Sequence, residues 1–220
     1  METTFANPII LAIAFVILGL APFIAIMTSS FIKLVIVMHL VRSALGLQQE
    51  PPNLAISGIA IILSIYIMAP VAMETHEIFN GYQIKISDIQ NPQLPEALKA
   101  SSDPLRKFLT QHSSESEREF FSRTAHKLWP EKYAKDMTTD HLLVLTPAFM
   151  VSELTTAFQV GFLLFLPFIV IDLIVSNILI SMGMIMVSPM TISLPFKLLL
   201  FVLVDGWSRL LHGLILSYQP

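Results

Sequence analysis

Cysteine is absent from the 220 residues. That excludes disulfides, thiolate metal sites and a cysteine nucleophile, and it leaves the redox compartment open. Charge is scarce as well. Only 13% of residues are Asp, Glu, Lys or Arg, against roughly 25% in soluble domains. With 54% hydrophobic residues and a mean hydropathy of +0.70, the balance argues against an ordinary water-soluble globule. The net charge of −3 is too weak to suggest nucleic acid, and no basic stripe with interleaved aromatics is present.

The familiar reaction motifs are missing too. There is no HExxH, no GxxxxGK[ST], no GxGxxG and no GxSxG. His39, His76, His112, His126, His141 and His212 are scattered without ligand spacing, so no metal site and no cofactor are expected. A protein that is not an enzyme is the reading these absences favour. The opening METTFANPII lacks the positive n-region of a secretory signal, and no small-residue cleavage site ends the first apolar run. Residues 9–41 therefore read as part of the mature chain.

What is present is long apolar sequence. Residues 74–141 hold nine of the 13 Lys and Arg and 11 of the 16 Asp and Glu. Two apolar regions flank this polar insert, giving three parts: 1–73, 74–141 and 142–220. Residues 3–32 carry no charge, long enough for a span at about 20 residues per helix, with Pro22 expected to kink it. Gly46 suits a helix stop and Pro51-Pro52 a restart, so 1–73 reads as a helical hairpin. The insert reads as soluble and mostly helical. Ser114 to Glu117 fits a capping box, and Pro92, Pro95, Pro104 and Pro130 cut the segment into short pieces. Its charges are of mixed sign, as on a solvated face.

In the last part Thr146-Pro147 suits an N-cap and first-turn pair. A helix from there to Ser181 would be about 52 Å long at 1.5 Å per residue, well beyond the roughly 30 Å of hydrocarbon. Residues 190–217 form the returning arm. Lys33 and Arg42 near the first hairpin tip place that tip toward the cytoplasm, with the N-terminus and insert outside. The fold class expected is all-α and membrane-associated.

Five charges lie inside apolar windows: Lys33, Glu153, Asp172, Lys197 and Asp205. A charge facing lipid costs roughly 2.5–3.5 kcal/mol at mid-bilayer, so these need protein or water. Lys33 and Asp205 also suit helix-end or snorkelling positions. Asp172 and Lys197 are placed symmetrically about the Met184–Ile185 boundary. An antiparallel hairpin turning there brings them level, either within one chain or between neighbouring copies. Glu153 and Arg209 are mirrored about the same tip, about four residues out of step.

The tip itself reads SMGMIMVSP. In a helix Met182 and Met186 share a face; in an extended segment Met182, Met184 and Met186 all point one way. Two readings follow. Methionine fills irregular gaps in a core, or several copies bring these loops together as a deformable apolar constriction. Irregular backbone at membrane depth suits a position buried in protein or lining a cavity.

ALGLQQEPPN at 44–53, TPAFMVSELTTAFQVGF at 146–162 and DLIVSNILISMGMIMVSPMTISLPFKLLLFVLVDGW at 172–207 resemble the R subunit of the type III secretion export gate. This family is called SctR or YscR in injectisomes and FliP in flagella. The resemblance covers both apolar regions; the insert matches only in position and character. It implies a pentamer in the bacterial inner membrane, joined by S and T subunits and neighboured by a U subunit. Such an assembly forms a closed helical pore around the path of unfolded protein substrates. It implies hairpins packed largely on the periplasmic side, not four ordinary lipid-facing spans. It also implies that Met182, Met184 and Met186 form a gasket closing the pore. Ile185 stands where relatives often carry methionine, and its β-branch stiffens the loop. The lack of a leader resembles the injectisome branch more than the flagellar one. Rival readings are a flagellar counterpart, an ion channel or small-solute transporter, and an assembly scaffold that does not line the path.

Overall fold

The computed structural model describes residues 8–84 and 91–219. The N-terminal end, on which part of the orientation expectation falls, lies outside the described residues. Among them the structure is all-helical. Helices α1 (Pro8–Met27) and α2 (Phe31–Ala44) are followed by α3 (Asn53–Gly81). The insert forms α4 (Leu94–Ser101), α5 (Asp103–Gln111), α6 (Glu115–Leu128) and α7 (Glu131–Ala134). Then come α8 (Leu142–Ser181), α9 (Pro189–Leu203) and α10 (Gly206–Leu216).

Pro22 does not break the first helix, which runs through it. The bend comes later, at Thr28–Ser30, where the two helical pieces meet at 61°. Three consecutive hydroxyl residues explain the position. Thr28 Oγ1 donates to the Ile24 carbonyl at 2.8 Å, and Ser29 Oγ accepts from the Phe31 N–H at 3.4 Å. Short polar side chains here offer the backbone partners other than the helical ladder. Helix α2 ends just before Gly46, whose φ is 81°. Arg42 braces the connection, donating to the Pro51 carbonyl at 3.0 Å and to Asn53 Oδ1 at 2.7 Å.

Helix α8 begins one turn before the Thr146-Pro147 pair. His141 caps it instead, with Nδ1 accepting from the Leu143 N–H at 3.2 Å. Thr146 turns its hydroxyl back to the Leu142 carbonyl. The helix has 40 residues, about 60 Å at 1.5 Å per residue, and is the spine of the molecule. Helix α2 lies along it with Leu34, Val37, Met38 and Val41 fully buried. Gly161 permits the approach, because a Cβ there would run into the Leu40 side chain.

The insert is not a separate body. Helix α3 continues past Met73 to Gly81, and the short helices fold back onto α3 and α8. Phe108 and Leu109 of α5 pack with Leu145, Phe149 and Tyr218. Ala125 of α6 packs with Met137 and Val144. Pro95, Pro104 and Pro130 sit at helix starts, where a missing N–H costs nothing. Ser114 caps α6, accepting from the Glu117 N–H at 3.3 Å.

Helices α3 and α8 are long and apolar enough to cross a membrane, and up to four spans result if each bent pair counts as one. Only 11% of the most apolar window of α8 is buried within the chain. An apolar surface of that extent marks contact with lipid or with other protein.

Candidate functional site

The α8–α9 tip is built by a helix stop and a helix start placed close together. Gly183 adopts φ 74°, which an L side chain resists. Its N–H donates to the Ile180 carbonyl at 3.0 Å, and the Met184 N–H donates to the Leu179 carbonyl at 2.9 Å. This is a Schellman closure of α8. Ser188 and Pro189 then open α9. Between them the methionines are left without cover: Met182, Met184 and Met186 are 67, 42 and 101% exposed. Among the described residues the chain provides no core for them to fill.

Below the tip, Lys197 Nζ stands 2.5 Å from Asp172 Oδ2 within one chain. Ser193 Oγ donates to the other carboxylate oxygen, Oδ1, at 2.5 Å. Lys197 also donates to the Ala44 carbonyl at 3.2 Å. That carbonyl ends α2, where a cation complements the helix dipole. One ammonium thus ties α8, α9 and the end of α2. The Lys197 side chain is buried, while that of Asp172 is 35% exposed.

A second group lies toward the insert. Lys33 Nζ is 3.1 Å from Glu153 Oε1, and both side chains are only 3% exposed. Tyr218, in the turn after α10, donates its hydroxyl to Glu153 Oε2. Its ring also covers Lys33, with Nζ 3.6 Å from the centroid. Arg209 has no part in this group: Glu153 reaches across to α2, not to its mirror position in the returning arm. His112, at the end of α5, packs edge-on to Tyr218 with ring centroids 5.0 Å apart. Burial, and then the nearby Lys33 ammonium, push the His112 imidazole down to about 4.

Asp205 stands apart. It occupies the break between α9 and α10 with φ 53°, where the pieces bend by 59°. Among the described residues its carboxylate has no ion partner. No group of histidines and carboxylates that could hold a metal occurs among the described residues.

The FliP family model matches residues 14–214. The chain belongs to the FliP family. Three relatives show how far the likeness extends. Yop proteins translocation protein R of Yersinia pestis is 52% identical over 208 residues, 94% of this chain and 95% of that protein. Hypersensitivity response secretion protein HrcR of Ralstonia nicotianae is 46% identical over 216 residues, 98% of each. Virulence protein YscR of Salmonella typhimurium is 44% identical over 203 residues, 92% and 93%. With its exposed apolar helices, this FliP-family chain is a membrane protein.

Two members of the charge groups, Ser193 and Tyr218, were not singled out from the sequence. Ser193 lies four residues before Lys197, hence on its helix face, a signal that could have drawn attention. Tyr218 had none: its contacts join parts of the chain far apart in sequence.

Proposed function

We propose that this FliP-family chain is a core, non-catalytic subunit of a type III secretion export apparatus in a bacterial inner membrane, of the injectisome type. Several copies, five by family resemblance, surround a path for unfolded protein together with S, T and U subunits. Met182, Met184 and Met186 close that path at rest. The insert and the N-terminus face the periplasm.

The observation that carries this reading is the uncovered methionine loop. It sits at a hairpin tip where a Schellman turn closes α8, in a chain whose apolar helices are themselves mostly uncovered. Thioether chains are flexible and polarizable. Packed against copies of themselves they exclude water, and they re-form around a passing chain of any sequence. The names of the Yersinia and Ralstonia relatives, which speak of translocation and secretion, point the same way.

The test is the triple variant M182G/M184G/M186G, expressed with its partner subunits in whole cells. The expected result is leakage of small solutes through the resting apparatus. A wild-type barrier in a correctly assembled variant contradicts the gasket. Intact barrier and intact export after alanine substitution would favour a scaffold outside the path.

A further inference from the structure

Tyr218 joins the buried ion pair to the insert, and its hydroxyl also lies 3.5 Å from the Ser30 carbonyl at the α1–α2 bend. Its hydroxyl donates to Glu153 on α8. Its ring face covers the Lys33 ammonium on α2. Phe108 of α5 stacks on the ring at 6.0 Å between centroids, and His112 meets it edge-on at 5.0 Å. Of these last four partners, two belong to the buried ion pair and two belong to the insert. A buried ion pair is held only when its remaining hydrogen-bonding capacity is met. Here the second carboxylate oxygen depends on the Tyr218 hydroxyl. The insert in turn rests part of its α5 contact on the ring, beside Leu145 and Phe149 of α8, with a nearby polar tie in which the Ser114 N–H donates to Ser152 Oγ at 2.9 Å.

We propose that Tyr218 is a latch that couples the seating of the insert to the buried Lys33–Glu153 pair. It is a positioning residue, acting through both partners. Helix α10 delivers it, and the direction of α10 is set at the Asp205 elbow. A partner subunit that swings α10 at this elbow withdraws the ring from α5 and uncovers the ion pair in one movement. The latch stands whether or not the methionine loop is a gasket, and its test does not read export.

The chain has no cysteine, so single reporters are clean. Ser113 is buried beside the insert–α8 tie, and Ala44 is buried at the far end of α2. S113C and A44C are each combined with Y218F, Y218L and Y218A in membranes, and labelling by a maleimide is timed. Cation–π and stacking contacts are lost in Y218L and Y218A but kept in Y218F. The expected result is at least about tenfold faster labelling of S113C in Y218L and Y218A, through local opening. S113C in Y218F stays near the parent rate, while its stability to denaturant falls because Glu153 has lost a donor. A44C stays protected throughout. Parent-like S113C protection in Y218L, or equal exposure in Y218F and Y218A, overturns the latch. If Y218A does not accumulate, Y218L against Y218F decides. Exposure of A44C together with S113C in Y218L means general loosening and also overturns it.

Discussion

Lys33 and Glu153, 120 positions apart, meet at 3.1 Å with both side chains 3% exposed. Both groups are almost wholly removed from water, so each is tolerated because the other is there, with Tyr218 completing the enclosure. Removing one partner of such a pair costs about 3–5 kcal/mol, whereas replacing both with apolar residues of similar volume is often close to neutral. K33M and E153L singly should each lower unfolding stability in detergent by that order. K33M/E153L should recover most of the loss. The measurement is denaturant unfolding of the purified chain. A double variant as weak as the sum of the singles contradicts the pair as a self-compensating unit.

Lys197 answers Asp172 in a less enclosed setting, since the carboxylate is 35% exposed. Solvent screening makes its loss milder. K197M frees the Ala44 carbonyl and leaves the Asp172 carboxylate with the Ser193 hydroxyl and no cation, so the yield of oligomer on native gels should fall. S193A removes one hydrogen bond and should cost about 1 kcal/mol. D172N/K197M should assemble better than K197M alone. Unchanged assembly in K197M would count against a role for the pair in fixing hairpin register.

His112 provides a pH dependence with a definite sign. Its imidazole is held neutral down to about 4 in the folded chain, chiefly by burial and also by Lys33. The unfolded value is about 6.5. Between those values the unfolded chain binds the extra proton, so stability rises with pH there. The contribution is complete above about 6.5 and is lost as pH falls to about 4. Proteolysis of the insert should therefore quicken over that window, and H112F should flatten the trend. A rate of cleavage that is flat in the parent contradicts it.

Gly206 is fixed by space. A Cβ there would collide with the Phe201 ring. That ring cannot move aside freely, being buried between Phe168 and Trp207 with centroids at 6.4 and 5.5 Å. G206A should destabilise the chain by about 1–3 kcal/mol through overpacking. G206A/F201L should recover part of it. Thermal unfolding of the four combinations checks both statements.

Local physics made much of this fold readable. The hairpin tip is written in Gly183, Ser188 and Pro189, and the start of α6 in Ser114 and Glu117, because capping depends on neighbours within a turn. Asp172 and Lys197 face each other across one hairpin, where the distance from a shared tip sets the register. Lys33, Glu153 and Tyr218 come from α2, α8 and the turn after α10. Their meeting depends on how α2 and α10 cross α8, and no spacing in the chain encodes that. The bend at Thr28–Ser30 was hidden for another reason: the proline at position 22 is the louder local signal, yet the hydroxyls after it decide the break. Methionine exposure, too, is a property of the folded tip. Sequence leaves core filling and constriction both open, and among the described residues the side chains have no intramolecular core.

The most direct test of the export reading places a single cysteine at Met184 in this cysteine-free chain. A tagged substrate is stalled midway through secretion, and thiol-specific crosslinking is done in whole cells. The account predicts an adduct between position 184 and the substrate. Adducts only between subunits, with the substrate shown to be stalled in the apparatus, would contradict it and move the path away from the methionine loop.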